Sequence, residues 1–85
     1  MKSFTYVITH PDGLNIQPAA ALNREIRSYK SDIVIHKGEK LATPRLFMQV
    51  LQLGIRCGET VTVTVEGENE EQEAKLLEAY FKANL

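Results

Sequence analysis

The chain has no tryptophan and only one cysteine. A lone Cys57 cannot close an internal disulfide, so the sequence suits a reducing, cytoplasmic setting. Its 10 basic and 11 acidic side chains nearly cancel. That balance leaves no bulk charge to attract nucleic acid or an anionic membrane. No apolar run approaches the roughly 18 residues of a membrane span. Thr5, Thr9 and His10 interrupt the segment after Met1, so no signal-peptide core is expected. The two histidines, His10 and His36, lie far apart, and no carboxylate or cysteine shares a ligand spacing with either, so neither metal nor cofactor is expected. Cys57 has no base beside it, and no glycine-rich phosphate loop of the Walker or dinucleotide type occurs. The chain is therefore not expected to hold an enzyme active site.

The 85 residues suffice for one domain, spanning 1–85, with a single core. Ser3 to Thr9 alternates Phe4, Tyr6 and Ile8 against Thr5, Val7 and Thr9, the pattern of a strand with one buried face. Asp12-Gly13 makes a turn, Asn15 is a good N-cap and Pro18 sits in the first helical turn. A helix then runs to about Tyr29, with Ala19, Leu22 and Ile26 on its inner stripe. Its first free amides, those of Ile16 and Gln17, lie at the positive end of the helix dipole and with Asn15 form a candidate anion pocket.

Asp32 to Lys37 and Lys40 to Ala42 form a hairpin around Gly38. Thr43-Pro44 predicts a helix from Pro44 to Leu53, stopped at Gly54. That helix is too apolar all round to be fully buried in so small a domain. Some of Leu46, Phe47 and Met48 are therefore expected to stay exposed as a contact patch. Thr60 to Glu66 gives the clearest alternation in the chain, valines inward and threonines toward water, which leaves one sheet face bare. Asn69 to Gln72 resembles a capping box for a last helix reaching about Ala83. Ala74, Leu77, Phe81 and part of Tyr80 point inward, and its glutamates form a solvated face. The order β-α-β-β-α-β-α, with helices on one face, is a two-layer open-faced α+β sandwich.

Gly13-Leu14-x-x-x-Pro18-Ala19-Ala20 resembles the active-site loop of HPr, the histidine-containing phosphocarrier of the bacterial phosphoenolpyruvate:sugar phosphotransferase system. The likeness extends through Leu46-Phe47-Met48, Leu53-Gly54, Gly58-Glu59-Thr60-Val61 and the terminal helix. It implies a four-stranded antiparallel sheet of order 1-4-2-3 under three helices. It also places Asn15 where the family's phosphoacceptor histidine stands, Gln17 at its phosphate-binding arginine and Leu46 at its regulatory serine. In the catabolite-repression members of the family, glutamine replaces the histidine but the serine persists; here Leu46 removes that switch as well.

The expectation is a module that no longer carries phosphate. It would dock a protein partner, a phosphotransferase component or a regulator, through Ile16, Gln17, Leu46, Phe47 and Met48. Two alternatives stand beside it. One is a working phosphocarrier that uses His10 as acceptor, and the other is a weak anion or metabolite sensor at the Asn15 pocket.

Overall fold

The computed structural model describes residues 1–85. Its elements are β1 (Lys2–Val7), α1 (Ile16–Glu25), β2 (Asp32–Lys37), β3 (Lys40–Ala42), α2 (Phe47–Gln52), β4 (Thr60–Glu66) and α3 (Glu70–Asn84). The strands form one antiparallel sheet in the order β1-β4-β2-β3. The alternation of β4 explains its place between two partners. Val61, Val63 and Val65 are buried against the helices, while Thr62 and Thr64 lie half-covered on the bare side between β1 and β2. The three helices share the other side, as the open-faced sandwich requires.

Aromatic packing seats α3. The Phe81 ring stands edge-on to Phe4 at 5.4 Å and to Tyr6 at 5.6 Å, both from alternate positions of β1. Leu77 and, just past its end, Leu85 extend its buried apolar face.

Several boundaries differ from those the sequence predicts. β1 ends at Val7 rather than Thr9, because the amides of Thr9 and His10 turn away to the carbonyl of Leu85, at 2.5 and 2.7 Å. α1 closes at Glu25 and tightens into a 3₁₀ turn over Ile26–Ser28 before Tyr29. α2 begins at Phe47, three residues beyond the proline start. The Asn23 amide group donates to the carbonyls of Pro44 and Arg45, and the Leu46 amide turns back to Thr43, so residues 43–46 form a turn instead of a helical one. Leu46, not Thr43, occupies the N-cap position. Gly54 does take the left-handed conformation expected of it, at φ +61°.

α3 carries two corrections. The Asn69 side chain makes no cap bond; the carboxylate of Glu70 accepts the Gly67 amide instead. More consequentially, Glu73 is not solvated. It is only 7% exposed, and its carboxylate accepts the amides of Lys30 and Ser31 and the Ser31 hydroxyl. Those donors come from the α1–β2 connection, where Ser31 itself is fully buried. Sequence periodicity could not place them opposite α3. Burial alone would push the Glu73 carboxyl up, but the bonds from Ser31 and Lys30 outweigh it and hold the group below the usual glutamate value.

The lowered folded value fixes the sign of the pH effect. The stabilisation is complete above the usual glutamate range and drains away as pH falls through the lowered value. Glu73→Gln puts an amide donor against other donors. It should cost about 1–3 kcal/mol at neutral pH and flatten the acid limb of a urea-unfolding series from pH 7 to 3.

Candidate functional site

The loop between β1 and α1 is built on backbone contacts. The Gly13 amide closes a turn on the His10 carbonyl, and the Asp12 amide donates to Nδ1 of His10 at 3.0 Å. Gly13 has φ +63°, and a Cβ there would collide with the Ile55 carbonyl oxygen and lie 2.8 Å from Arg56 Cα. Only glycine satisfies both demands. Next in the chain, the Leu14 amide donates to Ile55 at 3.1 Å and its side chain is buried. The loop is thus clamped to the α2–β4 connection just before the helix begins.

Beyond the clamp, Asn15, Ile16 and Gln17 are all exposed. Asn15 holds the extended N-cap conformation, and its carbonyl accepts the Ala19 amide, but its side chain makes no cap bond. The carboxamide is therefore free at the head of α1, and the amides of Ile16 and Gln17 find no partner in the chain. Gln17 adds a hydrogen-bonding group without charge.

Neither histidine stands at that helix start. His10 lies in the preceding loop with its ring fixed by the Asp12 amide. As Nδ1 accepts that bond, Nε2 carries the proton of the neutral ring. His36 sits half-buried on the bare sheet face, opposite Leu41 and Thr62, with Nε2 at 3.5 Å from the Thr64 hydroxyl. Cys57 is exposed, its Sγ 3.6 Å from the Thr9 carbonyl oxygen.

The apolar residues of the predicted patch divide. Leu46 and Met48 are 54% and 61% exposed, and Ile16 on α1 is 61% exposed. Phe47 turns inward and packs against the core. α2 is held in place from both ends. Asn23 of α1 grips the turn before it, and the Lys37 ammonium donates to the carbonyls of Leu53 and Gly54 after it while pairing with Glu59 at 3.1 Å. Backbone donation from Arg56, then the Lys37 ammonium, keep the Glu59 carboxyl below the usual range.

One feature escaped sequence reasoning. A groove of about 560 Å³ runs from His10, Ile16 and Gln17 along α1 to Arg24, with Tyr80 of α3 as its far wall. None of Leu46, Phe47 or Met48 borders it. The spacing of Gln17, Ala20 or Ala21 and Arg24 on one helical stripe is its only trace in the sequence, and nothing local joins that stripe to α3.

Residues 2–83 match the family described as PTS-HPr, the HPr component phosphorylation site of the phosphotransferase system. The chain belongs to the HPr family. It is 31% identical over 72 residues to the phosphocarrier protein HPr of Mycoplasma capricolum, covering 85% of this chain and 81% of that one. The structure of HPr-C-His from Thermoanaerobacter tengcongensis superposes with a TM-score of 0.92 at 28% identity, over 99% of this chain and 94% of that one. HPr from Bacillus anthracis gives 0.86 at 29% identity, over 94% and 95% of the two chains. The HPr fold accounts for the sheet order and for the three helices on one side. No helix is long and apolar enough to cross a membrane.

The clamp predicts a contrast between glycines. Gly13→Ala should cost about 3 kcal/mol or more, because left-handed strain and a collision with fixed backbone act together. At Gly38, with φ +60° and open space around it, the same change should cost only about 1–2 kcal/mol of left-handed strain. Urea unfolding of the two variants side by side measures the difference, and amide shifts at Ile55 and Arg56 should follow Gly13→Ala alone.

Proposed function

We propose that this HPr-family chain no longer carries phosphate and works as a cytoplasmic protein-docking module of a phosphotransferase system or of a regulator derived from one. The observation that carries this reading is the group at the head of α1. Asn15 presents a free, exposed carboxamide there. A carboxamide has no ring nitrogen to form a phosphoramidate and is not nucleophilic at neutral pH. Gln17, at the family's arginine position, cannot neutralise a phosphoryl group. Leu46, at the regulatory serine position, has no hydroxyl to modify.

His10 does not supply a substitute. Its Nδ1 lone pair is engaged by the Asp12 amide at 3.0 Å, so that nitrogen is not free to attack while the contact stands. Transfer through it would require breaking the contact that orients the ring.

A docking surface remains. Ile16, Leu46 and Met48 expose large apolar side chains on two helices that pack together, and Gln17 adds a polar contact. Phe47 supports that surface from beneath by packing on the core. Burial is worth about 25 cal/mol per Å² of apolar surface. Two or three such anchors suffice for a micromolar contact, about −8 kcal/mol.

Two measurements test the proposal. Incubation with enzyme I and labelled phosphoenolpyruvate should leave no acid-labile label on the chain, whereas Asn15→His combined with Gln17→Arg should acquire it. A labelled wild-type chain would overturn the loss of transfer. For docking, Leu46→Ser with Met48→Ser should weaken a captured partner about tenfold or more without moving the melting temperature. Unchanged affinity would remove this face from the interaction.

A further inference from the structure

The groove between α1 and α3 has a chemistry of its own. Ala20 and Ala21 of α1, which carry little bulk, and Tyr80 and Asn84 of α3 line it together. At one end stands Arg24. Its guanidinium pairs with no carboxylate of the chain, and the acid next to it, Glu25, is occupied by the Tyr29 hydroxyl at 3.0 Å.

The opposite end is lined by Gln17, His10 and Asp12. It lies about 10 Å away, seven residues along α1 at about 1.5 Å per residue. There the donors and acceptors are mixed. Nε2–H of His10 donates, the Asp12 carboxylate accepts, and the Gln17 carboxamide does both. Such a set suits hydroxyl groups. The Asp12 charge disfavours a second anion, so the trough asks for a ligand that is anionic at one end and hydroxylated at the other. The volume of about 560 Å³ falls within the range of small-molecule sites.

We propose that this trough binds a phosphorylated or carboxylated monosaccharide, its anionic group on Arg24 and its hydroxyls on His10, Asp12 and Gln17. Tyr80 and the two alanines meet the face of the sugar. The anionic end of the trough, at Arg24, lies about 10 Å from the amides that open α1, and occupancy does not depend on whether the chain carries phosphate.

An amide-detected NMR titration of the full chain tests this with glucose 6-phosphate, glucuronate, glucose and inorganic phosphate. Saturable shifts at Ala20, Ala21, Arg24 and Tyr80 with either sugar anion are expected, and the tighter one names the headgroup. Inorganic phosphate and neutral glucose should each bind about tenfold more weakly or not at all. Arg24→Gln should weaken the sugar anion about tenfold or more. Arg27→Gln, on the turn after α1 and outside the trough, should leave it unchanged. Both variants replace exposed side chains, so the melting temperature should hold. The proposal is overturned if neither sugar anion saturates, if phosphate alone binds as tightly, or if Arg24→Gln binds like the wild type. Shifts confined to Ile16 and Gln17 would also overturn it, because they would mark an anion on the helix start.

Discussion

Burial on one face only is the constraint from which the rest of this molecule follows. β4 pairs on both sides and turns Val61, Val63 and Val65 to the same face. A sheet with threonines on its other face can take helices on one side alone, so α1, α2 and α3 must share a single layer. Crowding them there brings the loop before α1 against the α2–β4 connection. Gly13 is the point where two backbones come so close that no side chain fits. It also brings the end of α3 beneath that loop, where the Leu85 carbonyl takes the amides of Thr9 and His10. The head of α1, the exposed residues of α2 and the trough are all products of this one-sided packing.

A buried carboxylate locks the layer at its other end. Glu73 in the first turns of α3 reaches the α1–β2 connection, where Lys30 and Ser31 bind it. Arg45, from the turn before α2, donates to the carbonyls of Tyr29 and Ser31 in the same connection. Three elements distant in sequence therefore converge on a few backbone groups. An acid in so dry a place would be costly alone, but every donor aimed at it is short-range and fixed. Gly67 belongs to the same arrangement, for a Cβ there would lie 3.1 Å from Ser31 Cα.

The regular parts of this fold were legible because they rest on periodicity. Alternating valines and threonines define β4, the Ala19–Leu22 stripe defines α1 and runs on through Ile26 into its closing turn, and the loop motif carries the family likeness that supplies the sheet order. What was not legible depends on contacts across the chain. Thr43-Pro44 has the local chemistry of a helix start, yet Asn23, some twenty residues earlier, claims the carbonyls and delays α2 to Phe47. Glu73 belongs by pattern to a run of solvated glutamates, yet the donors that bury it lie on another connection. At the site, Asn15, Ile16 and Gln17 stood out because they are contiguous. Arg24 and Tyr80 did not, because only the tertiary fold sets them along one groove.

The separation between scaffold and site explains how an HPr fold can change its chemistry without loss of structure. Leu14 and Gly13 are buried and position the loop, whereas Asn15, Ile16 and Gln17 are exposed and contribute little to the core. Substitution at those three positions leaves the clamp on Ile55 untouched. Leu46 is equally independent, being a half-exposed cap on a six-residue helix whose position is set by Asn23 and Lys37. The positions at which we propose that phosphate chemistry has been lost are therefore ones this architecture leaves free to vary. Those that place them are held by sterics and buried hydrogen bonds. In such a fold the surface can pass from transfer to recognition while the sheet, the clamp and the Glu73 bridge remain as they are.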